Sequence, residues 1–271
     1  MDAGALLALE EAEAQIAREL GAAVSEADRA HLGLDVLEVG GATLLLLARY
    51  AVISEFNRTV GLGLRRPVTD DDLTAIRAAA RERGVPRVML GVNPAAQPAD
   101  LEARLLDLGA TPVRAWMQMG RSTEAPPEAP AGVELREVGP DQSEAFMDVM
   151  ARGFGMPDDL LALGRGTFRR PGWRHYLASL DGEVVGCGSL GLFGDFGWLG
   201  NATTLPGFRQ RGVQSALIAR RIRDAGATGA GRVFSQVAEE LPDKPNPSEH
   251  NMRRAGFTAV YRRPNYLLPT D

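Results

Sequence analysis

At 271 residues the chain is long enough for roughly two domains of ordinary size. Apolar residues make up 45% of it, enough for real cores and too many for a disordered chain. The net charge of −5 gives no electrostatic reason to expect nucleic acid, and the mostly apolar stretch at residues 42–48 is far too short to span a bilayer.

The first twenty residues, MDAGALLALEEAEAQIAREL, carry no basic region ahead of their apolar residues, so a signal peptide is not expected. Leu6, Leu9, Ile16 and Leu20 instead fit a helical stripe. Residues 43–50 read as a strand, and residues 70–83 as a helix that opens on acids, as its dipole prefers. A strand over 88–92, a helix over 99–108 closed by Gly109 and a strand over 113–119 complete the first half. The stretch STEAPPEAPAG, residues 122–132, is rich in Pro and Ala and reads as a stiff extended linker. The chain is divided there, into 1–121, the linker 122–132, and 133–271.

The second half opens with a strand over 133–138 and a helix from an N-cap at Ser143 to about Phe154. A helical turn or two follows over 158–168. Residues 176–180, the turn Asp181-Gly182 and residues 183–192 read as a hairpin. Another strand over 196–205 runs into the loop and helix FRQRGVQSALIARR, and then come a strand over 232–238, a short helix over 248–255 ended by Gly256, and a final strand over 258–268. This alternation predicts a mixed α/β fold. Both halves end alike, LGATPVRAWM in one and AGFTAVYRRP in the other, which points to duplication with divergence.

Charge is uneven along the chain. Residues 1–130 hold 13 Arg against 19 acids, a net of −6, whereas residues 131–271 hold 17 Lys and Arg against 16 acids, a net of +1. The second half is the better place for an anionic ligand. The single cysteine, Cys187, excludes an internal disulfide or a zinc cluster and makes a reducing cytoplasm the default. Its place in VVGCGSL reads as a small buried residue of a strand. No metal site is expected.

Three glycine patterns compete for a phosphate-binding role. Gly186, Gly188 and Gly191 form a formal G-x-G-x-x-G, but hairpin residues follow where a dinucleotide site needs a helix. Asn57-Arg58-Thr-Val-Gly61-Leu-Gly63 lacks both the helix and the Lys of a P-loop and reads as a special turn. The third, Arg209-Gln210-Arg211-Gly212-Val213-Gln214, has the right setting. A strand delivers it, Pro206-Gly207 breaks that strand, and a helix follows whose Val213, Ala216, Leu217 and Ile222 can face a sheet. Unpaired N–H groups and about half a positive charge gather at such a helix start. Gly212 lets backbone approach a ligand, and Arg209 and Arg211 add charge where a phosphate would sit. The competing reading is an exposed helix entrance with solvated arginines.

This arrangement resembles the acetyl-CoA-binding motif of the GNAT acetyltransferase superfamily, whose core pattern is Arg/Gln-x-x-Gly-x-Gly/Ala after a strand. Arg209, Gly212 and Gln214 occupy its three positions, Gln214 departing from the usual Gly/Ala. GVQSALIARRI looks like a variant seen in tandem members. Downstream, Asn251 on a helix before Gly256-Phe257 resembles the family's closing motif. The resemblance covers 133–268 as a full domain and about 40–120 as a degenerate copy without the Arg-x-x-Gly turn.

The resemblance implies two tandem GNAT-like domains, with the first packed against a catalytic second. Acetyl-CoA or another acyl-CoA would be the co-substrate, and an amine of a small molecule or peptide the acceptor. Two strands, near 202–205 and 233–238, would splay to admit the pantetheine arm beside Thr203, Thr204 and Leu205. The diphosphate would take N–H bonds from Gln210, Arg211, Gly212, Val213, Gln214 and Ser215, with Asn251 reaching the pantetheine. Glu239 or Glu240 would serve as base through water, and Ser248 or Tyr261 as the acid that many members supply from a helix Tyr. Phe146, Met150, Phe154, Met156, Trp173, Phe193, Phe196 and Trp198 are candidates for the acceptor wall, of which two or three would touch substrate. The rival reading is a non-catalytic acyl-CoA-binding or scaffold protein on the same fold; a third keeps the fold and changes the thioester chemistry. A homodimer is left open.

Overall fold

The computed structural model describes residues 3–271. The chain divides into two compact units, one running to Met117 and taking back Tyr261–Asp271, the other Gln118–Val260. The sequence placed a boundary within 122–132 and kept 133–271 together. The division at Met117 and the return of the C-terminal strand are set by hydrogen bonding between distant segments, which no local composition signals.

The first unit begins with α1 (Ala3–Ala23) and α2 (Glu26–Leu32). Helix α1 buries Leu9 and Ile16 of the expected stripe, with Leu6 and Leu20 partly buried. Ser25 caps α2, accepting from Asp28 N, and Gly33 closes it in the left-handed region at φ 59°. Strands β1 (Leu34–Val39) and β2 (Ala42–Leu47) form a hairpin. Strand β3 (Arg58–Val60) pairs antiparallel with β2 and parallel with β4 (Arg87–Gly91). Helix α3 (Asp70–Glu82) starts with a capping box between Thr69 and Asp72. Helix α4 (Leu101–Asp107) and strand β5 (Thr111–Ser122) follow, the latter crossing into the second unit after Met117.

The core of this unit is a layer of Leu44, Leu46, Leu73, Ile76, Leu90 and Leu105, all essentially inaccessible. On α1, buried Glu10 and Glu13 face Arg263, whose Nη1 donates to Glu13 Oε2 at 2.5 Å and to Glu10 Oε1 at 3.2 Å. Tyr261 donates its hydroxyl to Glu10, as does the Asn93 amide at 3.2 Å, and Glu10 Oε2 accepts from Gly61 N at 3.2 Å. Burial and the neighbouring carboxylates raise the Tyr261 phenol, and the two acids hold the Arg263 guanidinium well above its usual value. A buried charge tolerates burial only when paired, and losing one partner strands the other. Replacing Arg263 by Met is expected to cost about 3–5 kcal/mol, read as a shift of the urea midpoint.

The second unit adds β6 (Glu134–Val138) and α5 (Ser143–Phe154). Ser143 is the first residue of α5 rather than its cap, because its hydroxyl donates to Pro140 O at 2.8 Å within a preceding 3₁₀ turn. Helix α6 (Ala162–Arg165) lies between 3₁₀ turns, and β7 (Trp173–Leu180), β8 (Glu183–Phe193) and β9 (Phe196–Thr204) form an antiparallel meander. Helix α7 (Val213–Ala227), β10 (Arg232–Ala238), α8 (Pro247–Arg254) and β11 (Thr258–Pro269) complete the chain. Strands order as β10-β9-β8-β7-β6 in this unit, and as β1-β2-β3-β4-β11 in the first. Only β9–β10 and β3–β4 run parallel among the described pairs, so the expected mixed α/β fold is what forms.

A histidine stands in the core of the second unit. Thr167 Oγ1 donates to Gly164 O, so it accepts from His175 Nε2 at 3.2 Å. His175 Nδ1, 3.0 Å from Ser189 Oγ, is then the acceptor of a neutral ring. The ring stacks on Phe168 at 3.8 Å between centroids. Burial, the largest effect, lowers His175 to about 4. Below pH of about 6.5 the unfolded chain therefore binds a proton that the folded chain declines. Stability from this site is full above about pH 6.5 and is lost between there and about 4, by up to about 3 kcal/mol. Urea unfolding at pH 7 and pH 4.5 measures it, and His175→Gln is expected to remove that part of the pH dependence.

Candidate functional site

The site begins where a parallel pair separates. Strand β10 pairs with β9 at Arg232/Phe196, Val233/Gly197 and Phe234/Trp198, and the register ends there. Ser235 bridges the widening gap by donating its hydroxyl to Leu199 O at 2.8 Å. Both strands continue, to Thr204 and Ala238, without a partner on the facing side among the described residues. Backbone polar groups freed this way must find water or a ligand.

The chain leaves β9 through Leu205, whose N–H donates to Val185 O at 2.8 Å, and a 3₁₀ turn at Pro206–Phe208. Gln210 and Gly212 then adopt left-handed backbone, φ 63° and 82°. Gly212 is the N-cap of α7 and supplies no side-chain acceptor, so the first N–H groups of the helix stay open. A Cβ at Gly212 would stand 3.1 Å from the Pro130 Cβ. Below the turn, Val213, Ala216, Leu217 and Ile222 are buried as their spacing predicted.

Two adjoining cavities occupy this gap. An inner chamber, with about 710 Å³ of empty space partly open to solvent, lies between Trp198–Ala202 of β9 and Ser235–Val237 of β10. Gln214 and Ile218 of α7 and Ser248, Asn251 and Met252 of α8 close it. A larger outer cleft, about 2250 Å³ including solvent, runs from there along the α7 turn and the exposed side of α8. Phe154, Ala202, Gln214, Ser248 and Asn251 line both. Gly153 lets α5 approach, since a Cβ there would lie 2.4 Å from the Thr203 side chain.

Ten of the residues singled out in the sequence meet here: Thr203, Thr204, Arg209, Gln210, Gly212 and Val213 on one side of the outer cleft, with Gln214, Ser215, Ser248 and Asn251. Buried Thr204 Oγ1 and Gln214 Oε1 have no hydrogen-bond partner among the described residues, which leaves two polar atoms free for a ligand. Five others stand elsewhere. Leu205 is buried in an apolar cluster with Phe146 and Met150. Arg211 turns away to Asp181 at 3.0 Å and stacks over Phe208, leaving Arg209 as the arginine of the turn that lines the cleft. Glu239 and Glu240 do not line either cavity; Glu240 Oε2 is 2.8 Å from His250 Nε2 and accepts from Asn246 N at 3.4 Å. Tyr261 belongs to the first unit, bonded to Glu10, because alternation along β11 turns it into that core.

Of the eight aromatic and Met residues put forward as a wall, Phe154 and Trp198 line the chamber, and Phe154 is 50% exposed. Phe146, Met150, Trp173 and Phe193 are core. The inner chamber also takes Ser235 and Gln236 of β10, and the outer cleft takes His250, none of which the sequence analysis put forward as a site residue. Arg253 and Arg254 also line it, held by Glu249 at 2.7 Å and by the Asn251 side chain. Burial pushes the Cys187 thiol up to about 12, so it is an inert part of β8. Among the described residues no cluster of three or more His, Cys, Asp or Glu is placed to hold a metal, and no helix is long and apolar enough to cross a membrane.

Residues 142–257 match the model of the acetyltransferase (GNAT) family. The chain's fold is similar to a GCN5-related N-acetyltransferase from Kribbella flavida, at 17% identity over 87% of this chain and 90% of that one, TM-score 0.62. A GCN5-related N-acetyltransferase from Sphaerobacter thermophilus aligns over 100% of this chain and 94% of its own, at 18% identity and TM-score 0.62. A tandem GNAT protein from the clavulanic acid biosynthesis pathway aligns over 86% and 79%, at 17% identity and TM-score 0.62. No curated protein matches the chain.

Gly212→Ala tests the turn itself. The added Cβ meets Pro130 and disfavours the left-handed φ, so a stability loss of about 1–2 kcal/mol is expected by urea titration, against a near-zero change for Gly207→Ala, whose surroundings are open.

Proposed function

We propose that the second unit transfers an acetyl or other acyl group from a coenzyme A thioester to the amine of a small molecule or peptide. The observation that carries this reading is the opening of β9 and β10 directly above the uncapped start of α7. The open N–H groups at Gly212–Ser215 and the Arg209 guanidinium suit a diphosphate. The unpaired edges of β9 and β10 suit the amides of an extended pantetheine arm, which would also satisfy Thr204 and Gln214. When bound, the coenzyme supplies the activated acyl group. The chain would supply proximity and orientation, backbone N–H groups of β9 that can polarise a thioester carbonyl, and groups that hold or move a proton.

Ser248 lines both cavities and is the proton donor proposed for the departing thiolate. Glu240 is the proposed base, acting through His250 or a water rather than by direct contact, because it is His250 that lines the cleft. Asn251, with its oxygen engaged by Arg254, keeps its amide N–H groups for the pantetheine. That most of the acid–base candidates stand outside the cavities favours, as the alternative, a protein that binds acyl-CoA without turnover.

The first unit is proposed as a degenerate copy without a coenzyme site. Its parallel pair β3–β4 is followed by Gly61-Leu62-Gly63 instead of an Arg-x-x-Gly turn, and the Glu10 carboxylate already occupies Gly61 N. Calorimetry is expected to find one CoA per chain, and Gly212→Glu, which sets a carboxylate in the diphosphate turn, to abolish all of it. Screening with acetyl-CoA and a panel of amines should release free CoA thiol from the wild type and at least about a hundredfold less from Gly212→Glu. Binding without release on every acceptor would turn the reading to the alternative; no binding would remove both.

A further inference from the structure

Arg221 of α7 is fully buried, yet among the described residues no carboxylate bonds it. Its Nε donates to Leu217 O at 3.0 Å, one turn back on the same helix. Its Nη1 donates to Ser189 O at 3.1 Å and to Gly200 O at 3.2 Å, and these two residues face each other across β8 and β9. Nη2 is buried without a partner. The electrostatic neighbours are Tyr176 and Cys187, which burial keeps neutral at pH 7 by raising both. Desolvation lowers Arg221 itself to about 10, so it remains a cation at neutral pH.

That pair of carbonyls borders an irregularity. The β8–β9 register jumps from Cys187/Thr203 to Ser189/Gly200, so Gly188 alone faces Asn201 and Ala202. Asn201 has a left-handed φ of 48°, uncommon for a residue other than glycine. Position 188 has no room for a side chain, since a Cβ there would lie 3.1 Å from the Arg221 Cζ and 3.3 Å from the Ala202 Cβ. The guanidinium therefore packs directly under the bulge. The same backbone, at Gly200, Asn201 and Ala202, lines the inner chamber. A buried cation satisfied by neutral carbonyls is costly, and an apolar residue of similar volume is often as stable or more so. Stability alone is thus a weak account of an arginine here.

We propose that Arg221 is a positioning residue for the transfer site, clamping both sides of the β8–β9 bulge so that the backbone of Gly200–Ala202 is held at one geometry against the acyl group. The inference rests on the proposed acyl transfer for its consequence, and on the hydrogen bonds and packing alone for the clamp. A single guanidinium nitrogen bridging both strands removes the freedom with which a bulge would otherwise shift register. Arg221 touches no reactant; it acts through β9.

Hydrogen exchange of the full chain without ligand, read by mass spectrometry, tests the clamp directly. In Arg221→Met, peptides spanning 186–204 are expected to exchange about tenfold faster, while peptides from α3 and β4 stay unchanged. Calorimetry should give a CoA Kd within about threefold of wild type, and kcat should fall about tenfold or more at an unchanged KM for acetyl-CoA. Arg221→Lys keeps the charge and fewer donors, and should recover part of both protection and rate. If Arg221→Met does not fold, Gly188→Ala, which presses a methyl against the guanidinium, is expected to reproduce the local exchange change. Unchanged exchange over 186–204, or a folded Arg221→Met with kcat within about threefold of wild type, overturns the proposal. A wild-type chain that binds no CoA overturns the proposed function instead, and the exchange measurement still decides the clamp.

Discussion

The structure of the second unit depends on two parallel strands that pair for three residues and then part. Strands β9 and β10 stay in register only to Trp198 and Phe234. Everything offered to a ligand follows from that loss of pairing: the unpaired strand edges, the chamber between them, and the α7 start below. A parallel sheet normally buries such edges, because an unpaired backbone group away from water is costly. Here the separation is bridged once, by Ser235 to Leu199 O, and is stabilised from outside by close approaches that only glycine allows. Gly153 brings α5 against Thr203, and Gly188 admits the Arg221 guanidinium beneath the bulge.

Two buried arginines show how differently a charge can be accommodated. Arg263 faces two buried carboxylates and Tyr261, an arrangement in which each charge makes the other affordable and which ties α1 to the end of β11. Arg221 has carbonyl oxygens only, and its charge is opposed by burial rather than balanced by an acid. The first pattern belongs to structure: the network fixes how one unit packs. The second sits against a chamber wall and leaves one nitrogen unsatisfied. A polar group kept where an apolar one would fit points to function more readily than to stability.

The candidate site was legible in parts that are local in sequence. Gly212 and its neighbours declared themselves because a strand, a break and a helix lie within fifteen or so residues, and that spacing alone places an open helix start above a sheet. Ser248 and Asn251 were legible for the same reason, being on one short helix. Arg211 and Leu205 were misplaced by a residue's rotation: they lie within the motif, but one turns to Asp181 and the other into the core. Tyr261 was misplaced by a whole unit, since nothing near it in sequence reveals that Glu10, some 250 residues earlier, is its partner. Ser235, Gln236 and Arg221 gave no local sign, because a strand residue facing a gap and one facing a core read alike until the gap exists.

By itself, the amino-acid sequence determined the alternation of elements, the buried face of α7, the glycine that starts it and the resemblance its motif carries. These are properties of dihedral preference and short-range periodicity, which act within a few turns of the chain. Only the tertiary structure decided which strand ends face each other unpaired, that β11 finishes in the first unit, and that a lone guanidinium lies under the β9 bulge. Those depend on contacts between residues far apart in sequence, whose free energy appears only when the intervening chain has already folded.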